Sequence, residues 1–137
     1  MKEQGNAAFK AKDYNLAVQH YTAALTENGN DHTILGNRAA AYHNLSKFQE
    51  ALGDANKCIE IKPDWSKGYQ RKAMAQQALG QLKEAVENYE KGVELDPSNA
   101  QCKQMLEQAE MQMAQQAFGG MGGGMPGMGG MGGGMPG

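Results

Sequence analysis

The sequence predicts an all-α fold: three stacked helix–turn–helix repeats, a capping helix after them, and a glycine-rich tail. Two observations carry this. Displaced by 34 residues, the chain falls on itself: Ala17, Ala51 and Ala85 share one register, Tyr14, Phe48 and Leu82 a second, and Gly29, Pro63 and Pro97 a third. Within each unit, apolar residues recur at helical spacing rather than at the alternation of a strand. Periods of roughly 20 to 50 residues belong to solenoids and related arrays, in which one helix pair cannot bury its own face and stacks on the next.

The elements follow in order. The repeats span about 1–29, 30–63 and 64–97. In the second, residues 31–45 place Leu35, Ala39 and Tyr42 on one stripe, Ser46 and Lys47 turn the chain, and residues 48–61 carry Phe48, Leu52, Ala55 and Ile59 on another. Pro63 then ends the helix, because proline biases the residue before it away from helical geometry. Small residues hold two further registers, Gly5, Ala39, Ala73 and Ala24, Cys58, Gly92, where helices must cross closely. A capping helix is expected over 98–118, with Ser98 as its N-cap and Cys102, Met105, Leu106, Ala109 and Met113 as its apolar stripe. From Gly119 to Gly137 every residue is Gly, Met or Pro. Such a segment buries too little apolar surface to offset its ordering entropy, so a disordered linker is expected there.

Composition excludes several classes of function. A net charge of −2 offers no general basic field for nucleic acid. No apolar run is long enough to span a membrane, and no signal-peptide pattern opens the chain. Cys58 and Cys102 lie outside any paired-cysteine motif and fall on apolar stripes, which suits buried thiols in a reducing, cytoplasmic setting. Phosphate-loop, zinc-protease and nucleophile-elbow motifs are all missing. His20, His32 and His43 occupy different registers, so no shared metal site is expected. Neither an enzyme nor a cofactor is implied.

Five polar residues stand out against this background. Lys2 and Asn6 are one turn apart on the first helix, Lys67 and Arg71 one turn apart on the fifth, and Asn37 lies 34 residues before Arg71. Three cations and two amides converging from three helices suit the capture of carboxylates, which accept charge-assisted hydrogen bonds from Lys and Arg.

The 34-residue period, small-residue registers and closing prolines are similar to the tetratricopeptide repeat family over residues 1 to about 97, which implies a right-handed α-solenoid. Its first helices, here roughly 1–11, 32–45 and 66–79, line a groove. The segments Lys2-Glu3-Gln4-Gly5-Asn6, Asn37-Arg38-Ala39-Ala40-Ala41-Tyr42 and Lys67-Gly68-Tyr69-Gln70-Arg71 resemble the two-carboxylate clamp of chaperone-binding members. Pro63-Asp64-Trp65-Ser66-Lys67-Gly68-Tyr69 is most similar to the first repeat domain of the Hop-type heat-shock organising cochaperones.

That resemblance implies a monomeric adaptor for the C-terminal Glu-Glu-Val-Asp peptide of heat-shock protein 70, with heat-shock protein 90 as second candidate partner. Lys2, Asn6, Asn37, Lys67 and Arg71 would form its clamp. Phe9, Ala40, His43, Asn44, Gln70 and Met74 are candidate accessory groove residues, Phe9 and Ala40 as an apolar wall, His43 and Asn44 toward upstream acidic residues. Lys2 directly follows Met1, so helix-end fraying is expected to weaken that arm. Arg38 and Lys72 sit one step around the helices and are assigned no ligand role. The alternatives are the repeat domain of a small glutamine-rich cochaperone, or a repeat scaffold for a different peptide.

Overall fold

The computed structural model describes the backbone of residues 1–122 and side chains through Phe118. Seven helices occupy this span: α1 (Lys2–Lys10), α2 (Tyr14–Glu27), α3 (His32–Asn44), α4 (Phe48–Ile61), α5 (Ser66–Ala78), α6 (Leu82–Leu95) and α7 (Ala100–Gly122). There are no strands among the described residues. The chain divides into two compact units, Met1–Lys103 and Gln104–Gly137. The first holds all three repeats; of the second, the structure describes the helix to Gly122.

Within the first unit each of α1 to α5 packs on the helix that follows it, and α1 also touches α3 while α3 touches α5. The odd-numbered helices therefore form one layer and the even-numbered helices the other. Small residues permit this. Ala17, Ala51 and Ala85 are all essentially inaccessible, as are Ala39 and Ala73. Around them lie Tyr21, Ile34 and Ala41, with Phe9, Tyr14, Val18 and Leu25 closing the first repeat. Tyr42 and Leu52 close the layer around Ala39, Ala51 and Ala75.

The helix pairs are joined by one turn used three times. Lys12, Ser46 and Gly80 occupy the same register and all have positive φ, at 64°, 61° and 84°. In each the following amide closes back on a carbonyl five residues earlier: Asp13 to Ala8, Lys47 to Tyr42 and Gln81 to Gln76. This is the Schellman closure, which satisfies otherwise orphaned helix carbonyls and normally favours glycine. Two of the three repeats make it with an L side chain.

The helix starts are less uniform. Asp31 caps α3 through the amides of Thr33 and Ile34, and Asp13 caps α2 through Leu16. For α7 the cap is Asn99, not Ser98. The Asn99 side chain accepts from the Cys102 amide at 3.1 Å, while the Ser98 hydroxyl donates to Asp96. Asn99 also donates to Gln70 and to the Ser66 hydroxyl, so the fold favours the residue that bridges to α5. At its other end α7 runs to Gly122, four residues into the expected linker; the rest of that linker lies outside the described residues. On the predicted apolar stripe Cys102 and Ala109 are buried, Met105 and Leu106 half-buried, and Met113 exposed. Both cysteines are free and buried, and burial pushes the Cys58 thiol up to about 11.

Candidate functional site: a cationic groove on the odd-numbered helices

A cavity of about 350 Å³ opens on the layer formed by α1, α3 and α5. Asn6, Phe9 and Lys10 line it from α1, Asn37 and Ala40 from α3, Arg71 from α5, and Tyr21 from beneath on α2. No carboxylate lines it.

Asn6 is the hub. Its Oδ1 accepts from the Tyr21 hydroxyl and, at 3.2 Å, from Asn37 Nδ2. The two amides expected to cooperate are thus in direct contact. With its oxygen occupied by two donors, Asn6 leaves its NH₂ for a ligand acceptor. Tyr21 reaches the groove from the even-numbered layer because Gly5 makes room for it. Its register partners Ala55 and Tyr89 are fully buried, so register alone does not single Tyr21 out. Burial raises its pKa, partly offset by the nearby Arg71 charge.

Arg71 is half-buried overall, yet its Nε lies out of solvent with no hydrogen-bond partner. Its Nη1 makes only a 3.8 Å contact with the Met74 sulfur. Desolvation lowers its pKa, while Cys58 and Tyr21 act the other way. None of the ion pairs among the described residues includes it; they are Arg38–Asp54, Lys62–Asp64 and Lys91–Glu94. A desolvated charge normally finds a counter-charge, because its lost hydration costs several kcal/mol (about the order found for buried ions). Arg38 shows the contrast one register away. It forms a two-pronged pair with Asp54 at 2.7 Å and stacks over Tyr42, so it is saturated within the fold.

The other predicted residues distribute as follows. Lys2 is exposed and does not line the cavity; its ammonium donates to the Thr33 hydroxyl at 2.9 Å, pinning the start of α1 to α3. Lys67 is exposed one turn before Arg71, also outside the cavity lining. His43 packs edge-on against Phe48, and desolvation followed by the Arg71 charge lowers its pKa. Asn44 is exposed and bonds back to the Ala40 carbonyl at 2.9 Å. Gln70 departs from expectation: it is 1% exposed and accepts from Asn99, so it faces into the stack instead of the groove. It directly precedes Arg71 on α5, and that single helical step rotates it by about 100°. Lys10 was missed, although it continues the Lys2–Asn6 stripe by one turn.

Among the described residues no group of His, Cys, Asp and Glu is placed to hold a metal, and no helix is long and apolar enough to cross a membrane.

A layered helix-pair array with a cationic groove on its odd-numbered helices is the architecture of a helical-repeat protein. The tetratricopeptide repeat pattern matches residues 32–64 and again 66–99. The first tetratricopeptide domain of Spaghetti (RPAP3), solved bound to an HSP90 peptide SRMEEVD, superposes with a TM-score of 0.77 at 34% identity, covering 82% of this chain and 90% of that one. The TPR2B domain of yeast Sti1, solved as an Hsp70 complex, gives 0.75 at 33% identity, covering 80% and 92%. The chain belongs to the tetratricopeptide repeat family. In sequence it is 50% identical over 119 residues to the heat shock protein STI1 of Saccharomyces cerevisiae, covering 85% of this chain and 20% of that one. To an Hsp70-Hsp90 organising protein of Plasmodium falciparum it is 42% identical, covering 77% and 42%. The chain spans about a fifth of the length of the first curated relatives it matches.

Proposed function

We propose that this chain is a cochaperone adaptor module that captures the C-terminal Glu-Glu-Val-Asp tail of heat-shock protein 70, and secondarily that of heat-shock protein 90. The observation that carries this is Arg71, whose buried Nε has no partner in a cavity without a carboxylate. Arriving carboxylates would supply the missing counter-charge. Arg71 and the Asn6 and Asn37 amides hold them inside the cavity, while Lys67 and Lys2 contribute from outside it. Lys2 would first give up its bond to Thr33. The relatives' names and the peptide-bound neighbours support the same ligand class.

The adaptor works by binding, without bond chemistry, in a non-membrane setting such as the cytosol. A short extended peptide anchored by two carboxylates and few apolar contacts binds at about micromolar strength, near −8 kcal/mol. Because the anchors are cations partly open to solvent, affinity falls as salt rises. Calorimetric titration with peptides ending Ile-Glu-Glu-Val-Asp and Met-Glu-Glu-Val-Asp tests the reading. Micromolar, salt-sensitive binding of both, tighter for the first, is expected. No binding of either by the folded domain would overturn it.

A further inference from the structure

Lys10 lies on the wall of the cavity and is exposed. Among the described residues it has no hydrogen-bond or ion-pair partner, and no acid lines the cavity beside it. It stands one turn beyond Asn6 along α1, on the side away from Lys2, a rise of about 6 Å. A cation in the last turn of a helix is favoured by the helix dipole. That favours a cation somewhere in this turn but does not explain why Lys10 lines the cavity.

Resting on the carboxylate-capture reading above, we propose that Lys10 is a specificity-determining residue: it pairs with an acidic side chain two positions before the one held at Asn6. The spacing follows from backbone geometry. An extended chain advances about 3.3 Å per residue and alternates its side chains, so positions two apart share a face and lie about 6.6 Å apart. A ligand running along α1 with one carboxylate at Asn6 presents its next same-face side chain under Lys10. The intervening residue points to the other side. The preferred ligand therefore has acids at alternate positions, the last being its C-terminal residue, and the residue between them is free of charge selection.

The test crosses a protein change with a ligand change. Lys10→Gln and the unaltered domain are titrated with three free-acid peptides at low salt. One ends Ile-Glu-Glu-Val-Asp, one has Gln for the Glu two before the terminal Asp, and one has Gln for the Glu before that. Lys10→Gln is expected to weaken the first and third by about two- to fivefold, the range of a solvent-exposed ion pair. It should leave the second unchanged. Equal losses for all three peptides, or no loss for any, would overturn the pairing while leaving carboxylate capture standing. Failure of the unaltered domain to bind any of them overturns the capture reading itself and Lys10's role with it. Melting curves of both proteins establish that the fold is common to the comparison.

Discussion

A β-carbon on Gly5 would stand 2.6 Å from Cδ1 and Cε1 of Tyr21. The missing methyl is what lets the Tyr21 ring slide between α1 and α2 and bring its hydroxyl to Asn6. Gly5→Ala must displace that ring. It is expected to cost about 1–3 kcal/mol of stability, as overpacking does, and to weaken peptide binding by misplacing Asn6. Thermal melting and titration of the one variant check both; an unchanged affinity would show that Asn6 is positioned without Tyr21.

Arg71 separates binding from folding. Arg71→Met removes a partly desolvated cation that the fold leaves unpaired, and it keeps the stem's packing. Stability should stay level or rise. Peptide affinity should drop by about 2–5 kcal/mol, the cost of deleting one partner of a buried charge pair. Loss of the fold in this variant would assign Arg71 a structural role instead.

The Arg38–Asp54 pair predicts the reverse. Its side chains are 19% and 9% exposed and hydrogen-bonded at two points. Asp54→Asn leaves a mostly buried guanidinium half-satisfied, so about 2 kcal/mol of stability should be lost, somewhat below the usual penalty for a fully buried pair. Affinity for the peptide should not move, because this pair spans α3 and α4 behind the groove.

How much of this was legible in the sequence varies by residue. The period placed α1, α3, α4 and α5 to within one residue at each end, because the small registers and prolines that define it also fix where helices cross and stop. Ser46 and Lys47 read as a turn in the sequence, but the left-handed backbone shared by Lys12, Ser46 and Gly80 shows only in the coordinates. Residues such as Gln70 and Tyr21 were not legible. Both depend on how far one helix is rotated against the next, which a register cannot give: Gln70 turns toward Asn99, and Tyr21 enters the groove from the opposite layer. Ser98 and Asn99 are equally good caps by residue type, and only the bridge to α5 selects between them.

That turn yields a stability prediction of its own. Lys12→Gly and Ser46→Gly should each stabilise the domain by up to about 1 kcal/mol, since the left-handed region costs an L side chain roughly that much. Chemical denaturation checks it; destabilisation would show that the two side chains contribute more than their backbone strain costs.

His43 sets a pH dependence. Desolvation, aided by the Arg71 charge, holds its pKa below the ordinary 6.5 in the folded state. The unfolded chain therefore binds the proton more readily, and stability should fall as pH drops through 6.5 toward the lowered folded value. His43→Asn should flatten that slope in denaturation curves taken between pH 7.5 and 5.5 (roughly the span over which an ordinary histidine titrates). A bound acidic peptide partly neutralises Arg71, so binding should take up protons and tighten modestly across the same window.

Carboxylate capture at the Asn6–Asn37–Arg71 cavity stands or falls on the ligand's terminal carboxylate. A peptide ending Ile-Glu-Glu-Val-Asp should be titrated beside its C-terminally amidated twin, which differs by one charge and no side chain. The free acid is expected to bind at about micromolar strength and amidation to remove nearly all of that binding. Equal affinity for the two would contradict it, leaving the groove as a binder of acidic side chains with no interest in the chain's end.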